Sequence, residues 1–84
     1  MSARKDYRRS QLGLTPKQTV VLKATVQGNC IKRIARATGM TPATVKIHTS
    51  AILKTFGVPD RQAVIAEVAK RAGVDLAAWV EAQA

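Results

Sequence analysis

Residues 31–56 read IKRIARATGMTPATVKIHTSAILKTF, and this stretch decides the fold. Apolar residues at its start recur with the 3.6-residue period of a helix, which predicts a short helix over residues 31–37. Gly39 then provides a turn, and Thr41 and Pro42 begin a longer helix as its cap and its first helical residue. Two helices separated by a short turn that contains glycine form the helix-turn-helix pattern.

The longer helix divides into two faces of different chemistry. One face is predicted to be buried and carries Val45, His48, Ile52, Leu53 and Phe56. The opposite face is small and basic and has no acid; it carries Ala43, Lys46, Ile47, Ser50 and Lys54. A helix surface of this kind is suited to the major groove of DNA.

Another helix precedes this pair. Thr15, Pro16 and Gln18 combine a capping box with a proline at the first helical position, and Gly28 ends the helix. The segment before it, residues 1–13, is polar, basic and without periodicity, which predicts a tail or linker.

A fourth helix is predicted from the capping residue Asp60 onwards. Apolar residues occupy more than one of its faces, and one small core cannot cover them all, so we expect a partner surface. Small apolar side chains allow two copies of a helix to approach closely around a two-fold axis. The expected contacts of such a homodimer are Ile65, Val68, Ala69 and Ala72.

A short last helix follows, in which Leu76, Trp79 and Val80 share one side. Trp79 covers either the bottom of the core or a contact between subunits. The fold is therefore predicted to be all-α. It is a compact four-helix helix-turn-helix domain over residues 14–73 with a C-terminal helical extension over residues 74–84.

The charge of the chain is strongly positive and unevenly distributed. The net charge is +9, and residues 14–59 carry seven lysines and arginines without a single acid. Such a stretch creates a positive potential that suits a polyanion. Binding to a membrane would instead need an amphipathic basic helix with large apolar residues opposite, and no such helix is visible.

No set of residues indicates catalysis or metal binding. His48 is the only histidine and Cys30 the only cysteine, so neither a Cys/His ligand set nor an internal disulfide is possible. We expect a packed His48, a small cap-region Cys30, no cofactor and no enzymatic activity. Since no apolar run approaches ~18 residues and the N-terminus lacks a signal-peptide core, the cytoplasm is the expected compartment.

In these residues the chain resembles the LuxR/GerE-type helix-turn-helix domains, which end many bacterial response regulators and quorum-sensing regulators. The resemblance covers roughly residues 14–66 and rests on fragments that occur in the same order and at the same spacing. These are Leu14-Thr15-Pro16, Val21-Leu22 with Gly28, Lys32-Arg33-Ile34-Ala35, Thr44-Val45-Lys46-Ile47-His48 with Ile52, Lys54-Thr55-Phe56-Gly57-Val58, and Arg61 with Ala63.

The resemblance implies a DNA-binding transcription regulator, either the output domain of a response regulator or a single-domain regulator. Its third helix would read double-stranded DNA, and its fourth would form a symmetric dimer, weak without DNA, on a palindromic site. RNA polymerase is a further candidate partner. Carried over by position, the base contacts would be Lys46, Ile47 and Ser50, and the phosphate contacts would be Thr44, Lys32 and Lys54.

The chain departs from this family at four positions. Gln18 and Val20 stand where acids are usual, and Cys30 and Arg33 stand where a capping serine and an acid usually open the second helix. These changes remove negative charge, so DNA affinity should not suffer. They do predict a different pattern of internal ion pairs.

Two alternatives stay open. A promoter-reading sigma-factor domain shares the helix-turn-helix, although Arg61 and the Phe56-Gly57-Val58 segment argue against it. A protein-interaction module would keep the fold without reading DNA, although the basic face argues against that. At the level of residues, Lys46 is otherwise a solvated lysine and Ile47 a half-buried residue at the helix edge.

Overall fold

The computed structural model describes residues 12–83, which form five helices and contain no strand. The predicted all-α fold, with a short extra helix at the C-terminal end, is confirmed. The expected tail lies mostly outside the described residues. The helices are α1 (Pro16–Val26), α2 (Ile31–Thr38), α3 (Pro42–Phe56), α4 (Arg61–Ala72) and α5 (Leu76–Ala82).

Side-chain caps fix where four of the helices begin. The predicted capping box of α1 is present: the backbone N–H of Gln18 donates to Thr15 Oγ1 at 3.2 Å, and the backbone N–H of Thr15 donates to Gln18 Oε1 at 3.0 Å. Thr41, Asp60 and Asp75 each accept a backbone N–H in the first turn of α3, α4 and α5. These contacts satisfy N–H groups that have no partner inside the helix, so local sequence alone determines the helix starts.

The core is made almost entirely of aliphatic side chains. Helix α3 packs against α1 and α2, and α5 packs against α1 and α4. Every helix contributes at least one buried residue to a single cluster. Its members are Leu14, Val21, Leu22, Ile34, Ala35, Val45, Ile52, Val64, Val68 and Val80.

The buried stripe of α3 differs in detail from the prediction. Val45 and Ile52 are buried, whereas His48 is only half-buried, as are Leu53 and Phe56. Thr49 is also buried, although this polar residue was not part of the predicted buried face. Its hydroxyl donates to the Val45 carbonyl oxygen at 2.9 Å, so the polar group is satisfied within the helix.

The expected role of Val68 in a dimer contact is wrong. Its side chain has no exposed area and belongs to the core, because Val68 lies one turn after Val64 on the same inward side of α4. Ile65 and Ala72 are half-buried against the core, and Ala69 is exposed. The apolar surplus of α4 is therefore smaller than the sequence suggested, since part of it is covered within the chain.

Helix α5 provides part of that cover. Val80 is fully buried, and Leu76 and Trp79 pack half-buried against the core, which is the first of the two roles expected for Trp79. Lys23 of α1 and Glu81 of α5 form an ion pair with an Nζ–Oε2 distance of 2.8 Å. Within residues 12–83 no helix combines the length and the apolar character needed to span a bilayer.

Candidate nucleic-acid interface

The turn between α2 and α3 sets the angle of the helix pair. Gly39 ends α2 with φ of +75°, a left-handed backbone conformation that residues with a Cβ rarely adopt. The Thr38 hydroxyl donates to the Ile34 carbonyl oxygen at 2.7 Å and accepts the Met40 N–H at 3.4 Å. Met40 packs against the core below the turn. These contacts fix how α3 leaves the turn.

The first turn of α3 leaves one hydroxyl ready to donate. Thr41 Oγ1 accepts the Thr44 N–H at 3.1 Å and donates to Thr44 Oγ1 at 3.0 Å. The Thr44 hydroxyl thus already accepts one hydrogen bond, and among the described residues its own O–H has no acceptor. A phosphate oxygen beside the start of α3 would be such an acceptor.

The predicted outward face of α3 is exposed at all five of its positions. Ile47 has 68% of its area exposed, more than any other large apolar residue of the helices among residues 12–83. The five residues, Ala43, Lys46, Ile47, Ser50 and Lys54, recur at helical spacing and form one stripe. At 1.5 Å per residue the stripe is about 16 Å long, which is comparable to the width of a major groove.

Helix α2, which packs against α3, carries a further group of exposed bases. Lys32, Arg33 and Arg36 are exposed and line a surface depression of about 350 Å³ together with Asn29 and Cys30. Arg33 and Arg36 were not among the predicted contacts, although the lack of acids around them could have indicated them.

The cations of this surface have no anionic partners among residues 12–83. Ion pairs in that part of the chain involve Lys23, Lys70 and Arg71 only. Of the seven bases left without an ion pair there, five belong to this surface: Lys32, Arg33, Arg36, Lys46 and Lys54. Their charges are therefore available to an external polyanion, and their summed potential attracts one.

The N-terminus of α2 has an unusual cap. Cys30 occupies the capping position, but its exposed side chain makes no hydrogen bond with the first turn. The backbone N–H of Arg33 favours the thiolate and lowers the pKa of Cys30, with smaller help from the Lys32 amide and the Arg33 charge. Helix α2 therefore begins without the side-chain cap hydrogen bond that the other four helices have.

Arg61 connects α4 to the start of α2. Its Nη2 donates to the Asn29 carbonyl oxygen, and the Asn29 side-chain amide donates to the Ala24 carbonyl oxygen at 3.1 Å. The Arg61 Nε is buried and has no acceptor among the described residues. The sequence marked Arg61 only by its place in the family pattern, because a bond across 32 positions leaves no local signal.

The remaining chemistry of the surface is limited. Among residues 12–83, no group of three or more His, Cys, Asp or Glu side chains is placed to hold a metal ion. His48 is half-buried in α3. What the arrangement provides is a row of cations and hydroxyl donors beside an exposed helix, which can hold phosphates and contact base edges.

Comparison with known proteins identifies the domain. The family described as bacterial regulatory proteins, luxR family, matches residues 12–68, from the residues before α1 into α4. No curated protein and no solved structure gives a significant match. The chain is therefore a member of the luxR family of bacterial regulatory proteins, a DNA-binding regulatory domain with a helix-turn-helix and not an enzyme.

Proposed function

We propose that this domain binds specific double-stranded DNA sequences with α3 in the major groove. The observation that supports this most directly is the exposed, acid-free stripe of α3, in which small and basic residues alternate beside the unpaired bases of α2. A helix about 10–12 Å wide fits a groove of about 12 Å when its outward side chains are short or flexible.

Three residues of the stripe are assigned to the bases. Lys46 can donate to the O6 and N7 acceptors of guanine, and Ser50 can pair with several bases. Ile47 offers an apolar surface that matches the methyl group of thymine. Its 68% exposure supports a contact outside the protein, because the described residues leave most of this side chain uncovered.

The assigned phosphate contacts lie on both sides of these residues. Thr44 lies in the first turn of α3, Lys54 in its last turn, and Lys32 in the first turn of α2. Contacts at the ends of the helix pair would hold α3 in register along the groove without reading sequence. The uncapped N–H groups at the start of α2 add donors next to Lys32.

We further propose a symmetric dimer on a palindromic site, formed through the outward side of α4. With Val68 assigned to the core, the contact consists of Ala69 together with the exposed parts of Ile65 and Ala72. Two recognition helices would then lie about 34 Å apart, one turn of DNA. This contact is small, so dimerisation would depend on DNA.

The regulatory setting follows from the family. We propose that the domain acts in the cytoplasm as a transcription regulator, as the output domain of a response regulator or as a single-domain regulator. RNA polymerase is a candidate partner at the promoter. The family match favours these roles over the sigma-factor alternative.

Selection of binding sites from a random duplex library tests the proposal. The expected result is one enriched palindromic sequence, bound roughly a thousandfold or more tighter than a scrambled duplex in a competition assay. Equal binding to both duplexes would remove the sequence-reading role. No binding to any duplex would favour a protein-interaction module instead.

A further inference from the structure

We propose that Arg61 is a positioning residue for DNA binding, which holds the start of α2 so that Lys32 meets a phosphate. This inference rests on the proposed function. The Asn29 carbonyl oxygen that accepts from Arg61 belongs to the residue immediately before the α2 cap, Cys30. Lys32 follows that cap by two residues.

The structure makes Arg61 a connection between two helices whose backbones do not pack directly against each other. Among the described residues, α2 packs on α3 and on α1, but not on α4. The hydrogen bond from Arg61 therefore links the first residue of α4 to the beginning of α2. This beginning of α2 is the end of the helix that contains Lys32, the proposed phosphate contact.

Asn29 makes this connection rigid. Its side-chain amide and its backbone N–H both donate to the Ala24 carbonyl oxygen, at 3.1 and 3.3 Å. The residue is thus held by α1 on one side and by Arg61 on the other. A loop fixed from two sides gives α2 a defined starting point, which is the condition for a precise contact by a side chain two residues further on.

The placement of the charge is not explained by the stability of α4. A cation in the first turn opposes the helix dipole, which favours anions at that end. Among the described residues Arg61 forms no ion pair, and its buried Nε has no acceptor. A neutral residue would suit α4 better, so the guanidinium is better explained by what it does at the start of α2.

The test compares salt dependence of DNA binding in single and double variants of the full chain, on one selected duplex. Arg61→Gln removes the guanidinium and is expected to reduce the log–log salt slope by about one for each subunit, because the Lys32 contact is lost. Lys32→Ala alone should reduce it equally. The double variant should lose no more than either single variant, and preference for the selected sequence over a scrambled one should stay unchanged.

Arg71→Gln is the matched control, since it removes the same charge from the far end of the same helix. It should leave the slope unaltered. Should Arg61→Gln fail to fold, Asn29→Ala releases the other side of the connection and is expected to lower the slope in the same direction.

The outcomes separate the two claims. If Lys32→Ala leaves the slope unchanged, the proposed phosphate contact is wrong. If Lys32→Ala lowers the slope but folded Arg61→Gln and Asn29→Ala proteins do not, Arg61 has only a structural role. If the Arg61 and Lys32 losses simply add, Arg61 contributes independently of Lys32. Either result overturns the inference.

Discussion

Residues 14–59 and residues 60–83 are both helical, but they carry charge in opposite ways. The first part has seven bases and no acid, and within the part of the chain that the structure describes only Lys23 of these bases is in an ion pair. The second part mixes both signs, and Glu67 lies 3.0 Å from Arg71 and 3.9 Å from Lys70. Paired charges make a solvated supporting surface, whereas unpaired cations make a surface for an anion.

The two parts also use apolar residues differently. In α3 the most exposed large apolar side chain, Ile47, lies on the proposed DNA face, whereas in α4 the large apolar residues are turned inward or half-covered. The comparison indicates that α1 to α3 form the part proposed to recognise DNA. Helices α4 and α5 complete the core, and α4 provides the proposed dimer contact. Substitutions in the two parts should therefore differ in what they change and by how much.

Val68→Asp should have the largest effect, because it places an unpaired carboxylate in the core. We expect a loss of roughly 3 kcal/mol or more in the free energy of unfolding. Ala66→Asp, an exposed position two residues earlier in α4, is the control and should cost about 0.5 kcal/mol or less. Urea denaturation measures both. If both variants lose the same small amount of unfolding free energy, Val68 is a surface residue and again a candidate for the dimer contact.

Lys46→Ala should reduce sequence discrimination more than any change in α4 or α5. A base contact of this kind contributes ~1–3 kcal/mol of discrimination, so the gap between selected and scrambled duplex should narrow by that amount. Lys54→Ala is the control within the same helix and should weaken both duplexes about equally. Competition binding distinguishes them, and the reverse pattern would exchange the roles of the two lysines.

Ala69→Glu should weaken assembly without unfolding the domain. The exposed side chain meets its own copy across the proposed two-fold axis, so two like charges would face each other. We expect a loss of cooperative binding to the palindrome of about tenfold, or about 1.4 kcal/mol, with half-site binding preserved.

Ala82→Glu adds the same charge on exposed α5 and controls for general repulsion from DNA. If both variants weaken the half-site and the palindrome alike, α4 is not the dimer contact.

Glu81→Gln should have the smallest effect. The Lys23–Glu81 pair joins α1 to α5, but the side chains are 35% and 65% exposed, so water and salt screen the interaction. We expect a loss of at most about 0.5 kcal/mol in unfolding free energy that disappears at high salt. Thermal melts at two salt concentrations measure it; a loss that persists in salt would show that α5 depends on this pair.

The parts of the fold that follow from local sequence were predictable. Helix starts at Thr15, Thr41 and Asp60 depend on contacts within three residues, and the structure has each of them. The outward face of α3 follows in the same way from helical periodicity alone.

The features that the sequence did not reveal depend on neighbours distant along the chain. Val68 is buried because the core closes around the inward side of α4, and Arg61 reaches Asn29 across 32 positions. Thr49 can be buried because its hydroxyl donates to a carbonyl oxygen of its own helix, and the hydropathy of the residue does not indicate this hydrogen bond.

The salt dependence of binding to duplex DNA tests the central claim most directly. The two cationic phosphate contacts per subunit, Lys32 and Lys54, give a dimer a log–log slope of roughly −4 between low and moderate salt, whereas the neutral Thr44 hydroxyl adds nothing to the slope. A slope near this value is the predicted result. Binding that stays constant as salt rises would contradict the assignment of residues 14–59 as a surface for the DNA backbone.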